Sequence, residues 1–155
     1  MTGERWIIYW NEYSSNTYLY GSEISYHAKD DVEYRNLLMP PGTVIKQWYS
    51  KTYYQMQRIE PALPIIDGES RYCMTVHIDC PENENWLIAL VFCDKYDAVV
   101  GRIAIRDEIS YFQCPLRTYS YRMELVNGGM TQFRFHYVEI QEVEDEQEEE
   151  PKETI

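Results

Sequence analysis

Three histidines, four cysteines and a scatter of paired carboxylates are the residues of this chain that could carry out chemistry. Covalent catalysis needs a nucleophile within hydrogen-bond reach of a base, and a third group to orient that base. His27, His77 and His136 are the available imidazoles, and His77 and His136 fall on the polar faces of predicted strands. The chain has no G-x-S-x-G elbow, no glycine-rich phosphate loop and no His-rich metal spacing. Cys73, Cys80, Cys93 and Cys114 form no C-x-x-C pair. Cys93 ends the most apolar stretch, WLIALVFC, where a thiolate is disfavoured, so buried free thiols are expected. Asp30 with Asp31, Asp94 with Asp97, and Asp107 with Glu108 have the chemistry of glycosidase pairs or calcium ligands. Each pair also sits in a predicted turn, where Asp commonly bonds its own backbone. The reading is a protein that is not an enzyme, with no catalytic, cofactor-binding or metal residues.

The aromatic residues carry a second kind of chemistry. Asn36 to Tyr54 reads NLLMPPGTVIKQWYSKTYY, a Pro-Pro-Gly corner followed by a crowd of rings. Strand alternation puts Lys46, Trp48 and Tyr54 on one face and Gln47, Tyr49 and Tyr53 on the other. A plain core strand sorts its apolar residues to one side, whereas here both faces carry rings and polar groups. Three readings stay open: a protein interface, which favours Tyr and Trp, a stacking surface for sugar rings, and ordinary packing. Trp86 and Tyr111, near predicted strand ends, extend the set. The candidate interface or glycan contacts are therefore Trp48, Tyr49, Tyr53, Tyr54, Trp86 and Tyr111.

Strands must position these groups. Arg71–Asp79 alternates Tyr72, Met74, Val76 and Ile78 against polar partners. Trp86–Cys93 is apolar on both faces, as in a central strand covered on both sides. The segment AVVGRIAIR follows a DKYD turn, and Gly101 inside it suggests a bulge or a close backbone approach. Tyr119–Val126 and Thr131–Tyr137 alternate around Asn127-Gly128-Gly129, a strong β-hairpin signal. RWIIYW near the start reads as an edge or pairing strand. No segment shows a long helical stripe, and the strand spacing predicts an all-β sandwich or barrel.

The chain has 155 residues, enough for one domain with one core. Its net charge is -12, but residues 139–155 hold nine acidic groups against one Lys, so the body is nearly balanced. That balance argues against nucleic acid and against anionic membranes as partners. No apolar run approaches the ~20 residues of a membrane span, and the start lacks a signal-peptide pattern. A cytoplasmic protein without an integral membrane segment is expected. The predicted organisation is a domain over residues 1–140 and a disordered acidic tail over 141–155, where like charges repel and little apolar surface remains.

Four segments in the same order resemble one known family: Tyr18–His27, Asn36–Tyr54, QRIEPALPII at Gln57–Ile66, and SYRMELVNGGMTQFRFHYVEI at Ser120–Ile140. They are similar to the third accessory secretory protein of the accessory Sec system. The resemblance implies a jelly-roll β-sandwich like a carbohydrate-binding module. It implies a non-enzymatic subunit of an export complex that delivers glycosylated serine-rich repeat adhesins to a specialised SecA motor and SecY channel. The implied partners are the first and second accessory Sec proteins, the adhesin and the motor, with self-association as a homodimer also expected. Membrane association through the translocation machinery would follow. A lectin-like role, with rings on N-acetylglucosamine or glucose of the adhesin, is the alternative. No cofactor is implied.

Overall fold

The computed structural model describes residues 5–10, 17–50, 63–64, 66 and 70–143. Ten strands follow in chain order: β1 (Arg5–Ile8), β2 (Glu23–Ala28), β3 (Asp31–Arg35), β4 (Val44–Tyr49), β5 (Arg71–Asp79), β6 (Trp86–Cys93), β7 (Val99–Ile105), β8 (Ile109–Phe112), β9 (Ser120–Asn127) and β10 (Gln132–Val143). The described residues contain no helix, and hence none long and apolar enough to cross a membrane.

The strands form two antiparallel sheets. The first has the order β2-β3-β10-β5-β8, and β1 also pairs with β10. Strand β10 is long enough to hold two neighbours along one edge: its start pairs with β3 and its later part with β1, while β5 runs along the other edge. The second sheet has the order β4-β9-β6-β7. Alternation works as expected in β5, where Tyr72, Met74, Val76 and Ile78 all point into the core. The facing set from the second sheet is Ile45, Trp48, Ile88, Leu90, Phe92, Tyr121, Met123 and Leu125. The sheets meet through these residues as an all-β sandwich. At its centre Trp10 packs against Tyr34, Trp48, Phe133 and Phe135, and Trp48 stacks on Phe135 across the gap between sheets at 5.4 Å.

The expected hairpin around Asn127 is a corner instead. Strand β9 lies in the second sheet and β10 in the first, so the chain crosses between layers at Asn127-Gly128-Gly129. The Asn127 side chain organises this crossing. Its Oδ1 accepts from the backbone of Gly129 and Met130, and its Nδ2 donates to the Met39 and Pro40 carbonyls. Burying Met130 then fixes the direction of exit. The DKYD turn does form a hairpin, with Asp94 accepting from the backbone N–H of Tyr96 and Ala98. Gly101 meets both expectations: register shifts beside it between Phe92 and Cys93, and a Cβ there would lie 2.7 Å from Pro115 Cγ.

The boundary drawn after Ile140 is corrected by three residues. Gln141, Glu142 and Val143 continue β10 and pair with Cys73, Tyr72 and Arg71. Val143 is buried there, which gives the strand a reason to extend. Residues 144–155, the rest of the predicted tail, lie outside the described residues.

Candidate contact surfaces

Trp48 does not belong to a contact surface. It is fully buried, and its Nε1 donates to the Tyr9 carbonyl at 2.9 Å. The cause is a β-bulge in β4 between Val44 and Lys46. The bulge puts Ile45 and Lys46, consecutive residues, both inside. Trp48 then shares the inner face, and Gln47 and Tyr49 turn outward. Inside, Lys46 Nζ donates to Thr17 Oγ1 at 2.7 Å and lies 4.9 Å from the Trp10 ring. Burial pulls the Lys46 pKa from its usual 10.5 to about 7.

Tyr49 does reach an outer face, that of the second sheet. Register puts it beside Arg122, and Gln47 beside Glu124. The Tyr49 hydroxyl donates to Gln47 Oε1, and Gln47 Nε2 donates to Glu124 Oε2 at 3.0 Å. Arg122 Nε donates to the same Glu124 oxygen at 2.8 Å. This chain of four side chains is largely withdrawn from water. Burial raises the Tyr49 pKa. For Arg122, burial works against the charge, but the hydrogen bond and the charge of Glu124 outweigh it and the pKa rises. Val91, on β6 opposite Arg122, is fully buried on this same outer side.

The other candidates scatter. Trp86 is half-buried at the start of β6, packed against the core and opposite Asn127. Tyr111 is 51% exposed on the first sheet, opposite Cys73, with the Arg71 guanidinium 5.1 Å from its ring. Tyr53 and Tyr54 lie outside the described residues. Tyr49 and Tyr111 therefore occupy opposite sheets, and no single sheet face collects the described members of the set.

A polar surface that sequence reading did not assemble covers the outer face of the first sheet. Arg134 makes a two-point contact with Asp31, at 2.8 and 2.6 Å. That contact holds the Asp31 carboxyl below its usual range. His27 Nε2 lies 3.0 Å from Glu33 Oε1. His136 Nδ1 lies 2.7 Å from the Asp30 carbonyl, and its Nε2 lies 2.9 Å from Asp79 Oδ2. Both of those partners only accept, so the ring is best satisfied doubly protonated. Burial opposes the charge, but the bonds to Asp79 and Asp30 prevail and raise the His136 pKa. Beside it the His77 ring packs on Tyr137 at 4.2 Å, and a cleft of about 470 Å³ runs past His77, Asp79, Glu108 and His136. With both nitrogens held by acceptors, His136 has none left to take a proton from a nucleophile. Among the described residues no group of three or more His, Cys, Asp or Glu could hold a metal ion. Alternation in β3, β5 and β10 was the available signal for this face, but it needed the strand order to bring the partners together.

The chain matches the family described as "Accessory Sec secretory system ASP3" over residues 17–142. It belongs to that family. An accessory Sec system protein of Streptococcus gordonii is 34% identical over 130 residues, covering 84% of this chain and 82% of that one. Among solved structures, the chain is similar to one in the "Crystal structure of accessory secretory protein 1,2 and 3 in Streptococcus pneumoniae". The TM-score is 0.84 and the identity 27%, covering 93% of this chain and all of the other. It is also similar to a chain of the "Glycosylation Associate Protein (Gap123) complex from Streptococcus agalactiae", with TM-score 0.83 and 29% identity. That match covers 91% of this chain and 45% of the other, so this chain spans about half its length. As an accessory Sec family member, the chain takes part in the accessory Sec system.

Proposed function

We propose that this protein is a non-enzymatic subunit of the accessory Sec export complex, acting with the first and second accessory Sec proteins. In that role it helps deliver glycosylated serine-rich repeat adhesins to the specialised SecA motor and SecY channel, from the cytoplasmic side of the membrane. The observation that carries the reading is the match of nearly the whole body to chains solved within multi-protein complexes. The commitment of both His136 nitrogens to acceptors supports a role without catalysis. The test is recovery of partners from native cytosol on the tagged protein. The expected result is capture of the first and second accessory proteins that persists after enzymatic removal of glycans. Capture of neither would sink the reading.

A lectin-like contact is the second reading, favoured by one observation. The outer face of the second sheet carries the Tyr49 ring beside the amide, guanidinium and carboxylate of Gln47, Arg122 and Glu124. A ring with flanking hydrogen-bonding groups suits a sugar, and many weak contacts along a repeat would add through avidity. Under this reading the protein binds glycosylated repeat peptide better than bare peptide. Equal binding of the two removes it.

A further inference from the structure

The corner between the two sheets holds the chain's single Asn-Gly pair, Asn127-Gly128. An asparagine before glycine is the pair most open to spontaneous deamidation. No side chain on the next residue hinders its backbone nitrogen from reaching the amide carbon.

The corner requires both residues all the same. Asn127 is buried. Its N–H donates to the Thr43 carbonyl and its carbonyl accepts from the Gly42 N–H, each at 2.8 Å. Its side chain accepts from Gly129 and Met130 while donating to Met39 and Pro40, a double duty that a carboxylate cannot perform. At residue 128, a Cβ would lie 2.8 Å from the Asn85 carbonyl oxygen, so only Gly fits. The architecture thus calls for the most labile pair of residues at its crossing.

The same contacts restrain the reaction. The Gly128 N–H donates to the Asn85 carbonyl at 3.1 Å, so the attacking nitrogen is held to another partner. Bonds at both ends of the Asn127 amide stop it from swinging over that nitrogen. The two bonds to Oδ1 would by themselves polarise the amide carbon, but the tethered attacker outweighs them. Gly128 itself is exposed, so protection rests on these bonds and not on exclusion of water.

We propose that Asn127 is a deamidation site which the fold keeps silent and which reacts when the corner opens. In the open chain the Gly128 nitrogen attacks Asn127 Cγ. A C–N bond forms, the Cγ–Nδ2 bond breaks, and Nδ2 leaves as ammonia with the proton that Gly128 gave up. One water then opens the succinimide to Asp or isoaspartate. Neither product can rebuild the corner. A carboxylate has no proton for the Met39 and Pro40 carbonyls and would be buried against them. Isoaspartate also lengthens the backbone between the bonds to Thr43 and Gly42. The lesion is therefore one-way, and it stands independently of the assembly reading above.

The experiment ages the chain at mildly alkaline pH, with reductant, either folded or unfolded in guanidinium chloride. Peptide mass spectrometry then follows amide-to-acid conversion at Asn127. The expected result is conversion at least about tenfold slower in the folded chain, because reaction there waits on local opening. After dilution from denaturant, converted chains should be depleted from the soluble, refolded fraction. Glu84→Ala gives a second readout. Glu84 grips the Thr131 backbone and hydroxyl just beyond the corner, without touching Asn127. Its removal should speed conversion in the folded chain by about twofold or more and leave the unfolded rate unchanged. Equal rates in folded and unfolded chains overturn the proposal, as does refolding of converted chains to the melting temperature of intact ones. An unchanged folded rate in a folded Glu84→Ala chain overturns the claim that the corner's bonds provide the protection.

Discussion

The outer faces of the two sheets use the same kinds of residue to opposite ends. On the first sheet, Asp31–Arg134, His27–Glu33 and His136–Asp79 form pairs that stand in or near water. On the second, Gln47, Tyr49, Arg122 and Glu124 form a linked chain in which Glu124 is nearly buried. An exposed pair exchanges hydration for a screened attraction and nets little. A buried carboxylate has lost its water and depends on its partners. The contrast separates a surface of independent exposed pairs from one whose groups are linked and depend on one another.

Variants can test that separation. Trp48→Ala sets the scale for the interior, with an expected loss of about 3–5 kcal/mol in denaturant unfolding. Glu124→Ala, on the outer face, should still cost about 1–3 kcal/mol, because it removes the nearly buried carboxylate that accepts from Arg122 Nε and Gln47 Nε2. A neutral result would make the second sheet's outer face equivalent to the first. Two groups should then respond to pH with opposite sign. Lys46 has a folded pKa of about 7 against an ordinary 10.5, so the unfolded chain binds more protons between those values. Stability from this group therefore rises with pH across that window. Lys46→Met, which keeps the buried stem, should flatten that rise in melting temperature. His136 has a raised folded pKa, so its contribution is complete below the ordinary histidine value of 6.5 and fades as pH climbs through the higher folded value. His136→Ala should remove a small loss of stability above pH 6.5, and NMR titration of the ring reads the shift directly. The smallest change belongs to Asp31→Asn. Its pair with Arg134 is exposed, so melting temperature should hardly move at physiological salt.

Much of this architecture was legible from short-range pattern. Strand β5 could be read because strict alternation leaves one possible inner face, and β6 because its outer face is apolar as well. The failures have specific causes. The bulge in β4 breaks alternation at one peptide, which made Trp48 look like half of a two-faced strand. The Asn127-Gly128-Gly129 turn has hairpin chemistry, but local chemistry cannot tell a turn within a sheet from a corner between sheets. What decided it was Asn127 bonding to Met39 and Pro40, nearly ninety residues away. The strands β2, β3 and β8 were missed: β2 and β8 expose much of their side-chain surface and show no apolar stripe, and β3 buries only Val32 and Tyr34 within five residues. The surface polar cluster was invisible for the same reason as the corner. It is assembled from segments that only strand order brings together.

Strand β10 sits at the centre of the first sheet, pairs with β1, β3 and β5, and is the last of the described strands. During synthesis from the N-terminus, β1, β3 and β5 emerge with no central strand to join them. Their apolar faces wait until β10 has been made. Such late, long-range pairing is slow and leaves strands open to aggregation. A ribosome that stalls before Gln132 would therefore release a chain that cannot build half of its sandwich, and disposal of that product would fall to chaperones and proteases.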